Sequence, residues 1–153
     1  MIVRFRVRTT LTRSQFLAGL TDFTADAADP SRLGAVSTVH LHRRTRNTAE
    51  VTERSTWIWE RLRYDWSDPQ HISVKTLDSN LFGGMSGYQY TLFRRADGAT
   101  DVEVRIIREG GNLIGNIVSW ALGRFGQKAL RAAFVRSVQA IEHCARTAGE
   151  RPG

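Results

Sequence analysis

The chain has 153 residues, 41% apolar and 24% charged, with a net charge of +7 carried by 20 arginines, two lysines and 15 acidic residues. That length supports one hydrophobic core rather than two, giving a single domain over residues 1–153, and the composition excludes a disordered or fibrous chain. The longest apolar stretch, Leu113 to Leu122, is broken by Gly115, Asn116 and Ser119, which excludes a transmembrane helix of about 20 residues.

The N-terminal residues interleave Arg4, Arg6 and Arg8 with Val3, Phe5 and Val7, unlike the continuous apolar core of a signal peptide, so a cytoplasmic protein is expected. One cysteine, Cys144, cannot form an internal disulfide, and the four histidines build no Cys/His cluster at metal-ligand spacing. No metal and no cofactor is expected. The arginines are scattered rather than gathered in a block of like charge, a pattern that GC-rich coding produces without a binding role, and no specific nucleic-acid partner is expected.

Residues Ile2 to Thr9 alternate apolar and charged, the pattern of a strand covered by core on one side. Thr12 with Gln15 three positions on reads as a capping box, and Phe16, Leu17 and Leu20 give the following helix an apolar side. Two short helices are expected between Thr12 and Asp29, ending in the breaker segment Asp29-Pro30-Ser31-Arg32-Leu33-Gly34.

From Val36 to Glu109 the period is two. Val39 and Leu41 alternate with His40 and His42, Arg46-Asn47 makes a turn, and the run from Thr48 to Asp68 holds two strands or one strongly bent one. Ser67-Asp68-Pro69 and Asp97-Gly98 are further turns, separating strands marked by Ile72 and Val74, by Tyr88 and Tyr90, and by Val102, Val104 and Ile106. With Thr48 to Asp68 counted as two, the strands number seven. From Leu113 to Ala148 the spacing changes to three and four, as an amphipathic helix requires, with Gly123 and Gly126 marking a kink or a close packing point.

Phosphate loops and catalytic triads are absent. Gly83-Gly84 and Gly110-Gly111 lack the accompanying Lys-Ser/Thr pair, His40 and His42 read as the exposed face of a strand, and Cys144 reads as a helix residue packed near the core. No catalytic residue is assigned. The aromatic set is more informative, because rings with a polar handle suit a cavity that is apolar in body and makes a few oriented hydrogen bonds. Trp57, Tyr64, Tyr88, Tyr90 and Trp120 are the aromatic candidates for such a lining. Glu60 is the acidic candidate. If Arg61 and Arg63 face water, Ile58, Glu60, Leu62 and Tyr64 face inward, where a carboxyl would be desolvated and able to act as acid, base or polar anchor. A bulge between Glu53 and Trp57 would reverse the faces and leave Glu60 at the surface; both readings stand on the sequence.

The order of elements resembles that of the START-related and polyketide cyclase-like helix-grip superfamily (SRPBCC). The likeness covers essentially the whole chain and includes the hairpin Arg43 to Glu53, the Trp59-Glu60-Arg61 strand leading to Asp68-Pro69-Gln70-His71-Ile72, the Phe82-Gly83-Gly84-Met85-Ser86-Gly87 loop, and Ala96-Asp97-Gly98-Ala99-Thr100. The resemblance implies an α+β helix-grip fold: a curved seven-stranded antiparallel sheet wrapped around a long C-terminal helix, with two short helices after strand one. It also implies a hydrophobic small-molecule ligand, lipid or polyketide-like, held between sheet and helix without catalysis. The alternatives are a polyketide cyclase or aromatase-type enzyme and a basic interaction module. None of the quoted segments is a catalytic signature, and nothing in them fixes an oligomeric state.

Overall fold

The computed structural model describes residues 1–23, 38–54 and 58–150. Seven strands, β1 (Ile2–Thr9), β2 (Thr38–Arg44), β3 (Thr48–Arg54), β4 (Trp59–Asp65), β5 (His71–Ser79), β6 (Gly87–Arg94) and β7 (Thr100–Ile107), form one antiparallel sheet in the order β1-β7-β6-β5-β4-β3-β2. Helix α1 (Arg13–Leu20) follows β1, and α2 (Leu113–Phe125) and α3 (Gln127–Glu150) end the chain. The sheet curves around the C-terminal helix. This is the expected helix-grip architecture.

Alternation decides which side of each strand meets the core. On β1, Val3, Phe5, Val7 and Thr9 are buried while Arg4, Arg6 and Arg8 face water. The Thr9 hydroxyl donates to the Glu142 carboxylate at 2.7 Å, tying β1 to α3. Both halves of the capping box form: Gln15 N–H donates to Thr12 Oγ1 at 3.2 Å and Thr12 N–H donates to Gln15 Oε1 at 2.9 Å. The second short helix expected by Asp29 falls on residues outside those described. Between β6 and β7, Gly98 adopts φ of 85°, a left-handed conformation that glycine takes without a Cβ clash.

A single C-terminal helix from Leu113 to Ala148 was the expectation, and the structure divides it at Gly126. Glycine is the weakest helix former after proline, and the chain restarts there with Leu130 N–H donating to the Gly126 carbonyl at 2.7 Å. The element that fills the grip is therefore α3, about 36 Å long at 1.5 Å per residue. Its Phe134 ring lies 5.7 Å from Phe5, 6.0 Å from Tyr90 and 6.4 Å from Phe16. Cys144, expected near the core, is exposed, because the face that meets the sheet runs through Phe134, Val138, Ile141 and Ala145. Helix α2 rests on the segment after β5: Gly115 lacks the Cβ that would strike the Leu81 carbonyl, and its N–H donates to Asn112 Oδ1 at 2.8 Å.

Candidate functional site

A cavity of about 250 Å³ lies between the concave face of the sheet, α1 and α3. Its wall is largely apolar, with Phe16 from α1, Phe134 and Ile141 from α3, and Tyr88 and Tyr90 from β6. Strand alternation places the tyrosines there: Tyr88 and Tyr90 are two apart on β6 and share a face, their rings stacked with centroids 6.5 Å apart.

The polar end of the cavity is made by β3 and β4. Glu53 lines it, and the Tyr64 hydroxyl, also in the wall, donates to Glu53 Oε1 at 2.7 Å. Burial raises the Glu53 carboxyl to about 7; the nearby Glu60 charge pushes in the same direction, while the Tyr64 hydrogen bond and Arg108 oppose it. Burial likewise pushes the hydroxyls of Tyr64, Tyr88 and Tyr90 upward, so all three are neutral donors at any physiological pH.

Glu60 takes the inward face, as one of the two sequence readings requires. Glu60, Leu62 and Tyr64 are buried and Arg61 and Arg63 exposed. The register shift that does occur lies in the β4–β5 pairing between Arg61 and Leu62, and it leaves the alternation of β4 intact. Glu60 is, however, outside the cavity wall. Arg108, just beyond β7, grips it bidentately, Nη1 to Oε1 at 2.6 Å and Nη2 to Oε2 at 3.1 Å. The same guanidinium donates to the Tyr88 hydroxyl and packs over the rings of Phe82, at 4.5 Å, and Tyr88, at 4.6 Å. Glu60 is thus a paired group inside the fold, whereas its cross-strand neighbour Glu53 lines the cavity, as does Asp22.

Of the other sequence candidates, Tyr64, Tyr88 and Tyr90 come together on the wall, Trp120 does not, and Trp57 lies outside the described residues. Trp120 sits on α2, 64% exposed, because the break at Gly126 separates that helix from the one filling the sheet. Sequence reasoning passed over Glu53; the signal available was its place opposite Glu60 in the β3–β4 pairing, which puts both on one face. It also passed over Arg108, where β7's alternation ends in a cation. Among the described residues no group of three or more His, Cys, Asp or Glu side chains could hold a metal ion.

No family model matches the chain, and no curated protein matches it in sequence. Solved structures do. A protein from Thermus thermophilus superposes with a TM-score of 0.75 at 9% identity, covering 94% of this chain and 99% of that one. The Zhui aromatase/cyclase from Streptomyces sp. R1128 gives 0.70 at 13% identity, covering 95% and 93%. A START superfamily protein from Mycobacterium smegmatis gives 0.67 at 11%, covering 95% and 97%. The fold is that of the START and polyketide cyclase-like helix-grip proteins. At these identities the likeness carries the SRPBCC-type architecture and no residue roles. In this chain the Glu53–Tyr64 pair lies in the wall of a largely apolar cavity.

Proposed function

We propose that the protein binds a small hydrophobic molecule in the cavity between the sheet and α3, with Tyr88 and Tyr90 against its apolar body and the Glu53–Tyr64 pair anchoring its polar end. The observation that carries the reading is a carboxyl kept inside an apolar cavity with one tyrosine donor, which leaves an acceptor for a ligand hydroxyl. The volume, about 250 Å³, suits a compact ring system rather than a two-chain lipid, since typical drug-sized sites run from about 300 to 1,000 Å³.

A second reading is supported by the same group. A carboxyl raised to about 7 is suited to proton transfer near neutral pH, as an enzyme acting on a polyketide-like substrate would need. The names of the structural neighbours, an aromatase/cyclase and a START superfamily protein, span both readings.

The experiment is thermal melting with compact polycyclic alcohols and phenols, together with mass spectrometry of small molecules that co-purify. Binding raises the melting temperature by mass action, and Tyr90→Ala weakens the response. An absence of any shift across the panel, with nothing co-purifying, overturns the reading. Glu53→Gln then separates binder from enzyme: a binder keeps its affinity for a neutral ligand, and an enzyme loses turnover.

A further inference from the structure

Nine large apolar side chains are exposed among the described residues, and four of them belong to α2: Leu113 at 76%, Ile114 at 62%, Ile117 at 59% and Trp120 at 64%. Their spacing of three and four puts them along one side of a helix whose opposite side, at Gly115, is pressed onto Leu81. Two more exposed apolar residues, Ile2 and Met85, join Trp120 and Arg124 in lining an open groove beside the same helix. An apolar face this concentrated marks an interaction site.

Charge says what kind. Residues 110–141 contain no aspartate or glutamate and carry Arg124, Lys128, Arg131 and Arg136. Arg124 packs over the Trp120 ring at 6.0 Å, and Lys128 and Arg131 are exposed at the start of α3. A single acidic side chain, Glu109, borders the groove. A short helix with leucine, isoleucine and tryptophan on one side, continuing into an acid-free cationic segment, is suited to lying in the plane of an anionic bilayer. No helix among the described residues is long and apolar enough to cross one.

We propose that α2 docks the protein on anionic lipid surfaces, with Leu113, Ile114, Ile117 and Trp120 entering the headgroup boundary and Arg124, Lys128 and Arg131 meeting the lipid phosphates. The tryptophan sits at the depth where its amphipathic ring is favoured, and the cations give the attraction its charge selectivity. This surface stands apart from the cavity and does not depend on what the cavity holds.

The test is flotation of the full chain with vesicles of phosphatidylcholine alone or of equal parts phosphatidylcholine and phosphatidylglycerol. The chain is expected to float with the anionic vesicles and not the neutral ones, and to be released by raised salt. Ile117→Glu with Trp120→Glu should weaken binding about tenfold or more at an unchanged melting temperature, because both side chains are already in water. Trp120→Phe should remove quenching by brominated lipid that the native chain shows, while still floating. The proposal is overturned if the chain fails to float at low salt, or if the double substitution leaves flotation unchanged. It is equally overturned if the chain is a dimer that ignores vesicles and that the double substitution converts to monomer, for then a second copy covers this face.

Discussion

Glu53 and Glu60 stand directly opposite each other across the β3–β4 ladder, and Arg108 grips only one of them. Two carboxylates on one face of adjacent strands repel if both are charged, and the fold divides the roles instead of tolerating the clash. Glu60 is held within a bidentate pair, while Glu53, left with a tyrosine donor in an apolar wall, holds its proton to about pH 7.

Stability should therefore depend on pH through Glu53. Its carboxyl binds a proton more tightly in the folded than in the unfolded chain. Its contribution is complete below the ordinary carboxylate pKa and is lost as pH rises through about 7. Glu53→Gln should remove that dependence, making the variant relatively more stable than the native chain at alkaline pH by on the order of 2 kcal/mol. Urea unfolding at pH values on either side of neutrality measures it.

Breaking the Glu60–Arg108 pair should be costly from either side. Arg108→Met leaves a buried carboxylate without its partner, and Glu60→Gln leaves a buried guanidinium; each is expected to cost about 3–5 kcal/mol. The double variant should lose less than the sum, since no orphaned charge remains. A double-mutant cycle by denaturant unfolding reads the coupling directly.

Filling the cavity should separate binding from folding. Ser137 lines it, and its hydroxyl donates to the Ala133 carbonyl within α3, so Ser137→Leu removes one local hydrogen bond and adds apolar volume inside the wall. The expected outcome is a melting temperature equal to or above that of the native chain, with the ligand-induced shift abolished.

The charge of the ligand should matter. Above pH about 8 the Glu53 carboxylate disfavours another carboxylate at the polar end, so naphthylmethanol should bind more tightly than naphthoate, and the gap should narrow below pH about 6 as Glu53 takes up its proton. Glu53→Gln should make the preference independent of pH. Titration calorimetry with the two compounds provides the comparison.

The legible parts of this fold were those written in local pattern. The alternation of β1, the Thr12–Gln15 capping box and the turn at Asp97-Gly98 each depend on neighbours within a few residues, and they form as the sequence implies. The shared face of Tyr88 and Tyr90 was legible for the same reason, whereas the sequence left open which face of its strand carries Tyr64 inward. What escaped depends on contacts between distant segments. Glu60 looked like the cavity acid because its strand face is apolar, but its environment is set by Arg108, 48 residues later. Trp120 looked like a lining residue because one continuous helix was expected to carry it across the sheet, and the interruption at Gly126 turned it to water.

The outermost pairing of the sheet also constrains how the chain acquires its structure during synthesis. β1 is made first, yet its ladder partner is β7, with Ile2 set against Ile107 and Thr9 against Thr100. Until β7 has left the ribosome, Val3, Phe5 and Val7 have no sheet to join, and α3, which supplies Phe134 against Phe5, emerges later still. Closure of the grip is thus a late, high-contact-order event, and the alternating arginines of β1 keep the waiting strand charged on one side while its apolar side has nothing to cover it.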